Sequence, residues 1–504
     1  MKSTLLRRLS LVLGLLAILG VLAVACGEEE EEGPTPAAGT PAASPSAGAA
    51  ALLAPASGGT AKIGGAGIAS APRQVPGLEG VLTLDDGLAA WKERPADEDR
   101  TGVSADKIVL GRNFGVTGVL ASVEAYSGPG LQALIQRINE AGGIHGRKLE
   151  LIIRDDQYNP TIAVQVVREL VEKDKVFGFF STMGTATHQA VAPYIRGNKV
   201  LEFWTTVGDY GNFYPAQPFS FSANDPHPKN GLVAGEAVLS LTPKAKIAFV
   251  GMSGDVMTGV GTGIKAALEK GGGQLVAEIS FDMMATDLTA QAVQAAAANP
   301  DWVIFAGTPA AAISLVRTLR QVAGYEGEIL MTPTVPGHNV VLEASEMMDG
   351  VNVILTGNKD AITHPNDPTI LALKKLLEEE KVKWNATGSP GTFVSIEALV
   401  RALEIAGPDL TKEGFVEAVY LAFDGSWQGT LQEFPMIYTP EDHLLDQPAQ
   451  LARWNHAEQK YETLGPLKTY ESSKGTGVIG NVPGFECQPP SAEHPKGTCP
   501  WKSQ

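Results

Sequence analysis

Residues 181–187, which are small or hydroxyl-bearing except for Met183, form the stretch of this sequence best suited to bind a ligand. They follow a short apolar strand predicted at 176–180 and precede a helix predicted to begin at about His188. Hydroxyl groups and free backbone amides at a helix N-terminus suit an anion. The alternative is that these Ser and Thr residues only cap the helix and shape the turn. The residues alone leave both interpretations open.

A glycine cluster after the strand predicted at 247–250 invites a nucleotide-binding interpretation. The dinucleotide fingerprint GxGxxG, counted from Gly259 and Gly261, needs a third glycine at the position of Ile264. A phosphate-binding P-loop needs Gly-Lys followed by Ser or Thr, which the sequence lacks. We therefore assign these glycines to helix entry and tight turning.

Other catalytic patterns are also missing. Ser253 lies in Gly-Met-Ser-Gly and not in the GxSxG elbow of hydrolases. Asp155 and Asp156 are neighbours on a strand, so their side chains point to opposite faces and do not share a site. The His residues show no HExxH spacing, and the sequence has no CxxC pair. These observations predict a protein that is not an enzyme and that uses no metal and no cofactor.

The elements around the hydroxyl-rich stretch alternate regularly. Leu131, Leu134 and Ile138 have the spacing of one apolar helix face, and 148–154 reads as a buried strand. Continued alternation predicts parallel sheets covered by helices, an α/β fold. The predicted strands are 108–110, 149–153, 176–180, 200–203, 247–250, 274–281, 302–305, 329–331 and 351–355. The predicted later helices, which no strand separates, are 370–377, 393–406 and 415–422.

Composition limits the class of protein and of partner. The chain has 504 residues with 44% hydrophobic content, enough for two domains with real cores. The formal net charge of -17 argues against nucleic acid, which requires clustered Lys and Arg.

The N-terminus has the order of a targeting segment, with Lys2, Arg7 and Arg8 ahead of an apolar run at 9–22. The residues that follow, up to Cys26, resemble a bacterial lipobox, which predicts a lipoprotein-type signal peptide at 1–26 with Cys26 lipidated. A plain signal peptide and an uncleaved helical anchor are the alternatives. Each of them places the body of the protein outside the cytoplasm.

The segments at the two ends of the body differ from it in composition. Residues 27–100 are predicted to be a low-complexity tether, although part of it has enough apolar residues for a short helix that docks on the body: Val81, Leu82, Leu84, Leu88 and Trp91. Residues 466–504 are predicted to be an irregular extension. Its two cysteines, Cys487 and Cys499, are predicted to form a disulfide in an oxidising compartment.

A resemblance to a known family rests on residues 138–149, which read INEAGGIHGRKL, and on RDDQ at 154–157 followed by Asn159 and Pro160. This pattern resembles the substrate-binding proteins of branched-chain amino acid ABC transporters, over about 105–465. The resemblance implies a type I periplasmic-binding fold with two doubly wound lobes joined by three crossover strands, a body at 101–465. Lobe 1 would be about 106–224 and 360–435, and lobe 2 about 225–359 and 436–465.

The resemblance also implies ligand-binding positions. Asp225, at the first crossover, matches the family's amine-binding acid. In lobe 2, Val256, Thr308 and Thr334 stand where the family places aromatic and acidic side chains around an amine. The positions carried over from the family's carboxylate-binding loops are Gly184, Thr185, Thr187, Thr205 and Thr206.

The implied function is capture of an amino acid or similar small amphiphilic solute between closing lobes and delivery to an ABC permease in the membrane, with the protein held there by its lipid anchor. Because the lobe 2 acid is missing, the alternative ligand is a carboxylate, an amide or another small amphiphile without an ammonium group. The alternative function is a ligand-sensing ectodomain or receptor subunit of the same fold.

Overall fold

The computed structural model describes residues 71–90, 92–208, 216–333, 344–445 and 447–465. The strands in these residues are β1 (Arg73–Gln74), β2 (Thr83–Leu84), β3 (Lys107–Phe114), β4 (Lys148–Asp155), β5 (Gly178–Phe180), β6 (Leu201–Thr205), β7 (Ser220–Ser222), β8 (Lys246–Met252), β9 (Gln274–Phe281), β10 (Trp302–Ala306), β11 (Glu328–Met331), β12 (Asn352–Thr356), β13 (Ala449–Asn455) and β14 (Lys460–Thr463).

The α-helices in the same ranges are α1 (Ala121–Glu140), α2 (Pro160–Arg168), α3 (Thr185–Gly197), α4 (His227–Leu241), α5 (Asp255–Gly271), α6 (Thr289–Ala297), α7 (Pro309–Gln321), α8 (Pro368–Glu379), α9 (Gly388–Ala406) and α10 (Lys412–Ala422). Every strand and late helix predicted from the sequence has a counterpart here. The helix expected from about His188 begins three residues earlier, at Thr185.

The two large sheets have the same parallel strand order. The first is β4-β3-β5-β6-β7, and the second contains β9-β8-β10-β11-β12 and continues through the antiparallel strands β13 and β14. In the first sheet the chain goes from β3 to β4 on one side and then returns to β5 on the other side, so the direction of the strand order changes between β3 and β5. The same change occurs between β8 and β10 in the second sheet. Ligands of open α/β sheets bind beyond the carboxyl ends of the strands at such switch points. The predicted pair of doubly wound lobes is thus confirmed.

Each sheet is buried by its own hydrophobic core. In lobe 1, Leu110 and Phe203 enter the core shared with α1 and α9, whereas Val109 and Phe179 enter a smaller core on the opposite face with α2 and α3. Because neighbouring strand residues point to opposite faces, a strand that is covered on both sides must be apolar throughout. Lobe 2 has a separate core, in which Phe249 of β8 is fully buried.

Within the described ranges, the chain passes between the two cores three times. The first passage lies between β7 and α4, and the second lies between β12 and α8. The third lies between Leu445, buried in the core of lobe 1, and Ala449, buried in that of lobe 2. The predicted boundary at 435/436 is therefore too early, because Met436 is also buried in the core of lobe 1.

Residues 71–90 pack against lobe 1, within the segment predicted to be a tether. They form the β1–β2 hairpin, followed by a short 3-10 helix at Asp86–Leu88. The backbone amide of Asp85 donates to the buried carboxyl of Glu404 at 2.6 Å, and Arg73 pairs with Asp86 at 2.7 Å. Four apolar side chains of this hairpin belong to the core of lobe 1: Val75, Leu78, Leu82 and Leu84. Leu82 and Leu84 are among the residues that the sequence indicated could dock on the body, whereas Val75 and Leu78 were missed because they occur in a short stretch without helical spacing.

Candidate functional site

A cavity of about 130 Å³ lies between the lobes, at the carboxyl ends of strands from both sheets. In lobe 1 its walls come from residues that follow β3, β4, β5, β6 and β7, and in lobe 2 from the end of β8 and from residues that follow β8, β10 and β11. The described lining residues are Leu120, Val123, Tyr158, Met183, Gly184, Thr185, Thr206, Gly208, Asn224, His227, Met252, Val256, Gly307, Thr308, Pro309 and Pro333. A solute held there touches both lobes at once.

The loop after β5 is shaped by Gly184. Its φ of +123° is strained for other residues, and a Cβ there would lie 2.6 Å from both the Thr187 hydroxyl and the Tyr158 ring. The Thr187 hydroxyl donates to the Gly184 carbonyl at 3.0 Å. Thr187 therefore holds the loop in place, while Gly184 and Thr185 line the cavity.

A buried arginine supports this loop from behind. Arg112 of β3 donates to the Ser181 carbonyl at 2.8 Å and pairs with Glu124 of α1 at 2.5 Å. Burial lowers the pKa of Arg112, and the Glu124 carboxylate opposes that effect. The ion pair thus links β3, α1 and the loop that carries Thr185.

His227, at the first turn of α4, is a lining residue that the sequence analysis missed. Its Nε2 lies 3.3 Å from the Thr185 hydroxyl, which also accepts the Gly208 amide at 3.2 Å. Burial lowers the pKa of His227 to about 4, so the ring is neutral at pH 7. Its Nδ1 is buried and has no hydrogen-bond partner.

Two glycines of α5 leave space for the first turn of α4, which carries His227. A Cβ at Gly259 would lie 2.7 Å from the His227 Cβ, and a Cβ at Gly263 would collide with the Pro228 carbonyl. These residues belong to the cluster assigned above to helix entry and turning. That assignment was wrong for them, because they lie inside α5 and permit its close contact with α4.

The second predicted loop contributes one of its two threonines. Thr206 lines the cavity, and its amide donates to the Thr182 carbonyl at 2.8 Å. Thr205 is a buried residue of β6 whose hydroxyl has no hydrogen-bond partner, and it is not among the described lining residues. In lobe 2, Thr308 lines the cavity while its hydroxyl accepts the Ala311 amide at 3.4 Å. Thr334 lies outside the described residues.

The carboxylate of Asp225, which the family resemblance implies to bind an amine, has partners within the protein. Its carboxylate pairs with Lys229 at 2.7 Å and accepts the backbone amide of Gln447 at 3.2 Å. Both side chains of the pair are buried, and neither residue is among the described lining residues. Asp225 thus connects the first and third passages between the lobes. The described part of the lining offers no carboxylate to an ammonium group.

The two aspartates at the end of β4 have partners in the backbone. Asp155 accepts the Thr117 and Gln157 amides, and Asp156 accepts the Tyr158 amide, so these carboxylates shape turns. Within the described ranges there is no group of three His, Cys, Asp or Glu side chains that could hold a metal ion. None of the helices in those ranges is long and apolar enough to span a membrane.

Comparison with known families decides the classification. The family model described as "Periplasmic binding protein" matches residues 107–460. The chain belongs to the periplasmic binding protein family. The Leu/Ile/Val-binding protein homolog 3 of Brucella melitensis is 25% identical over 60% of this chain and 79% of its own length. An amino acid binding protein of Pseudomonas aeruginosa is 27% identical, and the match spans 42% of this chain and 57% of that relative.

Solved structures of periplasmic binding proteins share the fold. A fatty acid ABC transporter substrate-binding protein from Thermomonospora curvata has a TM-score of 0.63 at 19% identity and covers 74% of this chain and 95% of its own. A solute-binding protein from R. palustris in complex with benzoate gives 0.60 at 18%, covering 73% and 98%. A leucine binding protein from Thermotoga maritima gives 0.58 at 18%, covering 72% and 98%. The fold of this periplasmic binding protein is therefore type I.

Proposed function

We propose that this protein is the extracytoplasmic solute-binding component of an ABC importer, which captures a small organic solute and delivers it to a membrane permease. One observation carries the proposal: the cavity is walled by loops of both lobes. A solute that contacts both lobes stabilises their closed arrangement relative to the open one. A permease can then distinguish the loaded protein from the empty one.

The chemistry of the cavity supports binding rather than catalysis. Its described polar groups are hydroxyls, an amide and a neutral imidazole, next to apolar side chains such as Val123, Met183 and Met252. Relatives are named for leucine, a fatty acid and benzoate. We propose a solute in this range of small organic compounds, with Gly184, Thr185, Thr206 and Thr308 among its contacts.

The test is to identify the solute and then its transport. The full chain is purified from its own host without added solutes, denatured, and the released small molecules are identified by mass spectrometry. We expect one solute in stoichiometric amount, and we expect deletion of the gene to reduce uptake of that solute. Normal uptake together with a lost transcriptional response to the solute would refute transport and favour a sensory ectodomain.

We also propose that Cys26 carries the lipid that holds the protein at the membrane and that Cys487 and Cys499 form a disulfide. These cysteines lie outside the described residues. Mass spectrometry of the membrane-extracted protein tests both proposals. We expect an acylated N-terminal Cys26 that is lost in Cys26→Ser, and a Cys487–Cys499 peptide pair that separates on reduction. An unmodified Cys26, or free thiols at the other two positions, would refute the respective proposal.

A further inference from the structure

An apolar cluster of lobe 1 lies beside the cavity. Its members are at most 8% exposed: Phe114, Leu120, Val123, Tyr126 and Tyr158. They lie at the end of β3, after β4 and around the start of α1, and three of them, Leu120, Val123 and Tyr158, also line the cavity. The cluster therefore belongs to the face of lobe 1 that meets lobe 2 across the cavity.

Met283 of lobe 2 packs against this cluster. It follows β9 and also packs against the core of lobe 2, so its side chain contacts apolar residues of both lobes. The turn that carries it is fixed by Asp282, whose carbonyl accepts the Ala285 amide at 2.9 Å and whose carboxylate accepts the Met284 amide at 2.8 Å. The neighbouring Met284 is 49% exposed. Of the two methionines, Met283 is thus the one packed between the lobes.

This contact lies far from the three passages between the lobes. The first two passages follow β7 and β12, whereas Met283 follows β9, an edge strand of the second sheet that lies four strands from β12. At about 4.8 Å per strand, β9 is roughly 19 Å from β12, and a rotation of about 15° around the passages moves the end of β9 by about 5 Å. Packed apolar atoms lie within about 4.5 Å of each other. Opening of the lobes therefore breaks the contact of Met283 with lobe 1.

We propose that Met283 is an apolar latch that stabilises the closed arrangement of the lobes before a solute binds, and that it thereby sets the affinity of the cavity. The contact is made by protein atoms alone, so its free energy favours the closed arrangement whether or not a solute is present. The consequence for affinity rests on the proposed solute-binding function. If the closed arrangement is the one that binds, the observed dissociation constant is the intrinsic constant divided by the closed fraction.

The first test measures the closed fraction directly. The full chain is unfolded in urea, dialysed and refolded to remove any solute, and pulsed electron paramagnetic resonance then measures the distance between the lobes. The spin labels are attached to ketone-bearing residues introduced at two exposed positions, so that thiols take no part: Glu172 in lobe 1, 59% exposed, and Val293 in lobe 2, 45% exposed. We expect a closed and an open population in the wild type. A wild type without a closed population would overturn the proposal.

Variants of the two methionines assign the closed population to the latch. We expect Met283→Gln to lower the closed-to-open ratio about 5- to 10-fold, the effect of burying part of one methionine side chain. Met283→Leu should stay within about twofold of the wild type, because its side chain is also apolar. The matched control Met284→Gln, in the same turn, should leave the ratio unchanged. Equal ratios in Met283→Gln and the wild type would overturn the proposal.

Calorimetry with the co-purified solute gives the second test. In Met283→Gln the dissociation constant should rise by the same factor as the closed fraction falls. An unchanged constant, or a rise well beyond that factor, would overturn the role of Met283 as a latch. Circular dichroism melts show whether each variant is folded, and Met283→Ala replaces a Gln variant that is not. The distance measurement needs no solute, so failure of the latch is distinguishable from failure of the proposed function, which is judged by the co-purified solute and its uptake.

Discussion

Breaking the buried pair of Asp225 and Lys229 is expected to destabilise the protein strongly. The two side chains are 7% and 1% exposed, and the ammonium and carboxylate are 2.7 Å apart. Lys229 also donates to the Gln447 carbonyl at 3.2 Å. Replacing Lys229 with Met leaves the Asp225 carboxylate buried without its opposite charge, while the Met side chain fills most of the same space.

The magnitude follows from desolvation. Removing one partner of a buried ion pair costs about 3–5 kcal/mol, because the remaining charge stays out of water. Replacing both charges, with Asp225→Asn and Lys229→Met together, removes the uncompensated charge. We expect the double variant to lose less than either single variant, which gives a favourable coupling energy in the double-mutant cycle.

Urea unfolding of the full chain, followed by circular dichroism, measures these differences in the free energy of unfolding. The matched control is Lys265→Met, which breaks a pair with Glu278 of the same length, 2.7 Å, in which the lysine side chain is 54% exposed. The control should cost only about 0–1 kcal/mol. If Lys229→Met costs no more than the control, the reasoning from burial is refuted.

Three further predictions follow from single residues. Burial raises the pKa of Glu404 to about 8, so the folded state binds more protons than the unfolded state from about pH 4.5 to 8, and stability falls as the pH rises through that range. Glu404→Gln keeps an acceptor for the Asp85 amide and should remove roughly 3–5 kcal/mol of this loss of stability between pH 5 and 8. Urea unfolding midpoints at the two pH values measure the difference, and equal pH slopes in the variant and the wild type would contradict the prediction. Burial lowers the pKa of His227 to about 4, so the stability of the folded state should fall as the pH drops from about 6.5 to 4. His227→Asn should flatten this pH dependence of the melting temperature, and an unchanged slope in the variant would contradict the assignment of the effect to His227. Thr185→Val leaves the Gly208 amide without its acceptor and should weaken binding of the co-purified solute by about 1–3 kcal/mol in calorimetry, whereas a wild-type dissociation constant would exclude a role of the hydroxyl.

The parts of the fold that the sequence predicts are those encoded by local periodicity. Leu131, Leu134 and Ile138 have helical spacing, and all three are buried on one face of α1. The strand predicted at 148–154 is found as β4, but it lies at the edge of its sheet and is mostly half-buried, so the prediction that it is a buried strand was wrong. Burial of one face of a helix, or of both faces of a strand, leaves a repeating pattern that can be read without knowing the partner.

The parts that the sequence did not predict depend on contacts between distant residues. The Asp225 carboxylate is committed to Lys229 and to the amide of Gln447, which lies in the third passage between the lobes. The family resemblance placed Asp225 at a crossover but could not show what surrounds its carboxylate. His227 left little signal, because a single histidine after Pro226 resembles any helix start. Its importance depends on Gly259 and Thr185, which only the folded chain brings to it.

The first turn of α4 takes part both in lining the cavity and in connecting the two lobes. His227 lines the cavity, and Lys229, two residues later, holds Asp225 in the passage between the lobes. A ligand that fixes the His227 ring therefore also restrains the turn that carries Lys229. Since a ligand shifts a conformational equilibrium only through different contacts in the two states, this turn offers a direct physical link between occupancy of the cavity and the relative position of the lobes.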